Sequence, residues 1–220
     1  MTARTVLVIG NKNYSSWSLR PWLLLRQHGI AFDEQRLLLD TPQFVHDIER
    51  WSPNRCVPAL HHGELIVWDS LAICEYVDEI FLDRAGWPRD PVARAVARSA
   101  SAEMHSGFQA LRSALPMNCR LRADGFVVKP DVQRDIERIR AIWRDCRARF
   151  GAGGPFLFGA FSIADAMYAP VALRFVSYGV ALDRDSRAYV DALLGLASLQ
   201  EWLRDAAAET ERLAATDNIA

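Results

Sequence analysis

The chain has 220 residues, half of them hydrophobic, with 26 Lys and Arg against 27 Asp and Glu for a formal net charge of −1. That length can bury one large core or two modest ones. The near-neutral balance excludes the electrostatic footprint of a nucleic-acid binder or of a protein held on an acidic membrane surface. No apolar run approaches the length that spans a bilayer, and Met1 to Thr5 lack the features of a secretory leader, so a cytoplasmic protein is expected. Cys56, Cys74, Cys119 and Cys146 are widely spaced without a paired short motif, which predicts reduced thiols and no metal site. His61 and His62 are neighbours that would point to opposite faces of a strand, and they read as surface or turn histidines.

The first apolar run, Val6 to Ile9, is short and β-branched and reads as a strand. The stretch Asn13-Tyr14-Ser15-Ser16-Trp17-Ser18-Leu19-Arg20 turns it into a helix. That helix is predicted to start no later than about Arg20, because Pro21 lacks an N–H and belongs in a first turn. Gly29 ends it as the C′ residue. Three hydroxyls, Ser15, Ser16 and Ser18, thus collect at the positive end of a helix, where an anion such as a thiolate is stabilised. Serines at a helix start are usually plain N-caps, and on this stretch alone that reading comes first.

Ala31 to Leu39 suits a second strand, and Thr41-Pro42 opens a short helix that runs to about Trp51. Ser52-Pro53-Asn54-Arg55 breaks it. Val57 to His61 and Leu65 to Trp68 form a β-hairpin pattern across Gly63, after which Asp69 or Ser70 caps a helix through Val77. The order is α/β, with one parallel and one antiparallel pairing. Leu82 to Pro91 reads as a linker between a domain over 1–81 and an all-helical domain over 92–220. In the latter, Val92 to Leu115 and Asp131 to Phe150 are long helical stretches, separated by Pro116 and by a loop from Asp124-Gly125 to Pro130. Gly151 to Pro155 is a second break, and Ser162 with Asp165 has capping-box spacing ahead of an apolar helix to about Tyr178.

This order of elements, and the residues on them, resemble the soluble glutathione S-transferases, whose fold joins a thioredoxin-like domain to an all-helical one. Ser15-Ser16-x-Ser18-x-Arg20 is similar to the serine motif of the zeta class. Pro53 with Val57-Pro58-Ala59-Leu60 resembles the family's cis-proline segment, Asp69-Ser70-x-Ala72-Ile73 its γ-glutamyl-binding turn, and Ser162-x-x-Asp165 its buried capping box. The resemblance implies glutathione as co-substrate, an electrophilic small molecule as second substrate, and a homodimer in which the N-terminal domain of one subunit packs on the helical domain of the other.

The roles implied are specific. Glutathione's thiol, with a pKa of about 8.5, is only slightly ionised at neutral pH. Lowering it by roughly two units takes about 2.7 kcal/mol. A hydroxyl at the helix start could supply this, with Ser15 leading because it lies five residues before Arg20, and Ser16 and Tyr14 in reserve. Val57, before the cis Pro58, would pair with the extended cysteinyl part of the peptide. Asp69 and Ser70 would take the γ-glutamyl ammonium and carboxylate. Arg55 would reach the glycyl carboxylate or solvent. Met104 and Phe108, one turn apart, are candidates for the second-substrate pocket. His105 has no carboxylate partner that the sequence can name. Trp22, Trp143 and Trp202 read as core.

The implied activity is a transferase in which a serine-stabilised thiolate attacks carbon. A zeta-like maleylacetoacetate cis/trans isomerase is the alternative, with two departures: Trp17 stands where that motif has cysteine, and Arg174 lies one turn before the isomerase's substrate-binding arginine. A non-catalytic binding protein of the same fold is the other alternative.

Overall fold

The computed structural model describes residues 3–123 and 125–218, so Met1, Thr2 and Asp124 of the sequence reading lie outside the described residues. A four-stranded mixed sheet is formed by β1 (Thr5–Ile9), β2 (Asp33–Arg36), β3 (Ala59–His62) and β4 (Leu65–Trp68), in the order β2-β1-β3-β4. The pair β1/β2 is parallel, with Leu7 opposite Glu34, while β1/β3 and β3/β4 are antiparallel, with Leu7 opposite Leu60 and Leu60 opposite Val67. Leu7, Val8 and Ile9 are fully buried because β1 is central and covered on both faces. The edge strand β2 reads Asp-Glu-Gln-Arg, a charged sequence that discourages further pairing. The hairpin turns at Gly63, whose φ of +60° is the left-handed region that glycine enters without a Cβ penalty.

Three helices belong to this half: α1 (Ser16–Gln27), α2 (Pro42–Trp51) and α3 (Ser70–Phe81). Thr41 caps α2, accepting from the Phe44 N–H at 3.0 Å, with Pro42 at the first position. Every residue of α1 from Ser18 to Leu25 is buried, since the helix is packed by β1, by α3 and by the helical half of the chain. Gly29 follows its C-cap with φ +66°.

The start of α1 at Ser16 satisfies the expected bound at about Arg20, but the placement of Pro21 in a first turn is corrected. Pro21 sits in the second turn of α1, inside the helix, where it forgoes the bond to the Trp17 carbonyl. Tertiary burial on all sides overrides that local cost. His61 and His62 are corrected as well: both lie on β3 and are partly buried. His61 Nε2 is 2.8 Å from the Trp51 carbonyl and His62 Nδ1 is 2.7 Å from the Tyr76 hydroxyl.

The rest of the described chain is helical: α4 (Pro91–Ser106), α5 (Gln109–Ala114), α6 (Pro130–Phe150), α7 (Ile163–Ser177), α8 (Arg184–Leu194), α9 (Ala197–Ala208) and the short α10 (Ala214–Asp217). The predicted run from Val92 to Leu115 is broken between α4 and α5. Gly107 approaches the Glu103 carbonyl so closely that a Cβ would stand 2.7 Å from it, and Phe108 is left-handed at φ +57°, which turns the chain.

The buried centre of this half is α7, in which every residue but Val176 is buried. Asp165, fully buried, organises its start: Oδ2 accepts from the Ser162 N–H at 2.8 Å and Oγ at 2.9 Å, while Oδ1 accepts from the Leu157 N–H and the Tyr189 hydroxyl. Burial pushes the Asp165 carboxyl up to about 6 even against those donors. Trp22, Trp143 and Trp202 are core. Trp22 and Trp202 meet edge-on at 5.1 Å across the two halves, with the Lys12 ammonium over both rings at 4.8 and 5.5 Å. One contiguous apolar core therefore runs through both halves.

Candidate functional site

A cavity of about 450 Å³ opens where the start of α1, the loop before β3 and the start of α3 converge. Its wall brings together residues 14–17, 54–58 and 69–70, together with Leu39 and Phe44. Tyr14, Ser15, Ser16, Arg55, Val57, Pro58, Asp69 and Ser70, which the sequence singles out, all line this one cavity.

The serines differ in what they touch. Ser15 occupies the N-cap position of α1, but its side chain caps no backbone N–H. Its Oγ donates to Ser18 Oγ at 2.7 Å, and Ser18 Oγ also accepts from the Gly10 N–H at 3.1 Å. Ser16 is half-buried, and its Oγ accepts from Arg174 Nη2 at 3.2 Å. The Tyr14 ring is on the wall, yet its hydroxyl is directed to the C-terminal segment: it donates to the Asp217 carboxylate at 3.0 Å and accepts from Arg120 Nη2 at 2.8 Å.

The peptide bond between Val57 and Pro58 is cis. Asp69 precedes α3 with φ +77°, an unusual backbone for a non-glycine residue. Its Oδ1 accepts from the N–H groups of Leu71 at 2.9 Å and Ala72 at 3.2 Å, capping the helix. Ser70 is buried, and its Oγ accepts from Arg20 Nη1 at 3.3 Å. Arg55 is mostly exposed and paired with Glu49 at 2.9 Å. Met104 and Phe108 are not on the cavity wall: both are buried in the main core, and Phe108 opens α5.

Behind the wall lies a group of cations that the sequence does not announce. Arg20 and Arg174 are nearly inaccessible, and neither forms an ion pair among the described residues. Burial, then Arg174 and Arg112, draw Arg20 down to about 9, and burial with Arg112 draws Arg174 down to about 10, so both remain charged at neutral pH. Two guanidinium groups pack on the Trp17 ring, with Arg20 4.2 Å and Arg112 4.5 Å from its centre. His105 stands edge-on to Trp17 at 5.2 Å and has a carboxylate partner after all, Asp69 Oδ2 at 3.1 Å. Burial lowers the His105 pKa, with Asp69 opposing and Arg20 and Arg112 assisting. These contacts join residues far apart in sequence, which leaves the serine motif as the local signal for the site.

Residues 14–80 match the family model for the glutathione S-transferase N-terminal domain, and residues 129–205 match the model for the C-terminal domain. The chain belongs to the glutathione S-transferase family. Among curated relatives, it is 30% identical over 170 residues to Protein IN2-1 homolog A of Oryza sativa subsp. japonica, a match covering 75% of this chain and 63% of that protein. It is 39% identical over 72 residues to Glutathione S-transferase Z1 of Arabidopsis thaliana, covering 33% of each chain. These matches thus span between a third and under two thirds of the relatives' lengths. Among solved structures, a glutathione transferase homolog from Burkholderia GL BGR1 with bound glutathione superposes with a TM-score of 0.72 at 22% identity, covering 94% of this chain and 99% of that one. As a glutathione S-transferase by family, the chain has its cavity at the start of the first helix of the N-terminal domain.

Proposed function

We propose that the protein is a glutathione transferase that binds glutathione in this cavity and directs its thiolate at an electrophilic carbon. The observation that carries the reading is the convergence of Ser15-Ser16, Val57 with the cis Pro58, and Asp69-Ser70 on one wall. An extended tripeptide anchored by its γ-glutamyl end at the start of α3 and by its cysteinyl backbone at Val57 has its sulfur toward the start of α1. There the positive helix end, a serine hydroxyl and the charged arginines behind the wall all favour a thiolate. Sulfur then forms a bond to carbon as the leaving group departs with its electron pair, or as electrons move onto an activated double bond. Arg55, though paired with Glu49, is near enough to the wall to meet the glycyl carboxylate. Four unpaired thiols suit a reducing compartment such as the cytoplasm.

The isomerase alternative is less well supported, because Arg174 is buried and committed to the Leu115 carbonyl at 2.7 Å, the Pro170 carbonyl at 3.2 Å and Ser16. A non-catalytic binding protein needs none of the cationic surroundings of the serines. Calorimetric titration with glutathione, followed by conjugation to an aryl halide, tests the proposal. Binding with turnover is expected. No binding at millimolar glutathione sinks the proposal, and binding without turnover across several classes of electrophile favours the binding protein.

A further inference from the structure

Two serines of the cavity wall share an arrangement. Ser16 Oγ accepts from Arg174, and Ser70 Oγ accepts from Arg20, each arginine being at least nine-tenths buried. A hydroxyl has one proton and two lone pairs, and a guanidinium can only donate. Each arginine therefore occupies an oxygen lone pair and leaves the serine proton to be donated elsewhere, with the O–H polarised by the adjacent cation. Ser15 is arranged differently: it is 6% exposed, has no cationic neighbour in hydrogen-bond contact, and its proton goes to Ser18.

From this we infer that Ser16 is the hydroxyl that donates to the glutathione sulfur, and that Arg174, from the helical half of the chain, is the residue that positions it. This rests on the reading of the cavity as a glutathione site. Ser16 is at the first position of α1, lines the cavity and is half-buried, so its hydroxyl combines access with a fixed orientation. Arg174 is anchored by the Leu115 and Pro170 carbonyls, which fixes the guanidinium before any ligand arrives. Ser15 then acts through Ser18 on the turn at Gly10, shaping the loop rather than touching the sulfur. Thiolate stabilisation becomes a property of the interface between the halves, because the N-terminal half alone lacks the arginine that sets Ser16.

The test is the thiolate absorbance of bound glutathione against pH in the full chain, for wild type, Ser16→Ala, Ser16→Thr, Ser15→Ala, Arg174→Lys and Arg174→Gln. Ser16→Ala is expected to raise the bound thiol's pKa by about one unit, a tenfold loss of thiolate near neutral pH. Ser16→Thr keeps the hydroxyl and holds the value, and Ser15→Ala moves it by less than Ser16→Ala does. Arg174→Gln shifts it in the direction of Ser16→Ala, and a further variant that combines Ser16→Ala with Arg174→Gln shifts it no more than Ser16→Ala alone. Arg174→Lys retains a cation where the glutamine variant fails to fold, and it falls between wild type and Ser16→Ala. A depressed wild-type value that moves with Ser15→Ala and not with Ser16→Ala overturns the assignment while leaving the thiolate reading intact. A shift on Ser16→Ala that neither arginine variant reproduces overturns the role of Arg174. A wild type that binds glutathione with an undepressed thiol overturns the thiolate reading, and this assignment with it.

Discussion

Asp69 Oδ2 lies 3.1 Å from His105 Nε2 while Oδ1 of the same carboxylate caps α3. One side chain thus joins the cavity wall, the first turn of a helix and the helical half of the chain. Asp69→Ala is expected to cost about 1–2 kcal/mol, from the lost cap and the lost partner of His105. Asp69→Gly should cost less than the alanine, because glycine accepts φ +77° without strain. Urea denaturation of the two variants measures the difference, and an alanine variant more stable than the glycine would show that backbone strain is not stored at this position.

Tyr14→Phe separates the wall from the C-terminal segment. The hydroxyl holds Asp217 and Arg120, while Glu209 accepts from the backbone N–H groups of Lys12 and Asn13 at 2.7 and 3.0 Å in the same region. The variant is expected to lose about 1–2 kcal/mol of stability and to leave the pKa of bound glutathione unchanged. Thermal unfolding and the thiolate titration are the two measurements, and a raised thiol pKa with full stability would return Tyr14 to the chemistry.

Asp165 predicts a pH dependence of definite sign. Its folded pKa of about 6 exceeds the roughly 3.9 of an unfolded aspartate, so the folded state binds the proton more tightly. The contribution of this group is therefore greatest below about pH 4 and falls away as the pH rises through about 6. Its size is of order 2–3 kcal/mol. Comparing the stability of wild type and Asp165→Asn between pH 4 and 7 isolates the slope. Asparagine should also be less stable throughout, because one of its two amide ends cannot accept from the four donors that the carboxylate satisfies. Parallel pH curves for the two proteins would show that Asp165 does not titrate in this range.

A homodimer is expected from the family resemblance. Leu65 and Trp68 on the edge strand β4, Ile80 on α3 and Val92 on α4 are large apolar side chains left exposed in the single chain. Light scattering at micromolar concentration should give twice the chain mass, and Trp68→Glu should reduce it toward one chain. A monomer in the wild type would refute the pairing.

The sheet, its hairpin and the first three helices are legible in the sequence because their punctuation is local: Gly29, Pro42 and Gly63 act through their own backbones, and Thr41 through a hydroxyl three residues from its partner. The break at Gly107 is not legible, since the apolar spacing continues on both sides and only the close approach to the Glu103 carbonyl ends α4. Pro21 misleads for the opposite reason, as packing on every side of α1 outweighs a lost helical bond. In the site, the serine motif and Asp69-Ser70 are contiguous and readable. The bond from Arg174 to Ser16 spans 158 residues, and it arises only once α7 is laid against α1.

Trp17, one of seven tryptophans, lies on the cavity wall with two arginine side chains over its ring and an imidazole in a T-shaped contact with it. Trp22, Trp143 and Trp202 are sealed in the interior, and Trp51, Trp68 and Trp87 are absent from that wall. An indole so placed makes the cavity its own optical gauge: a ligand that enters alters the emission of this fluorophore first, and Trp17→Phe gives the blank against which the change is read.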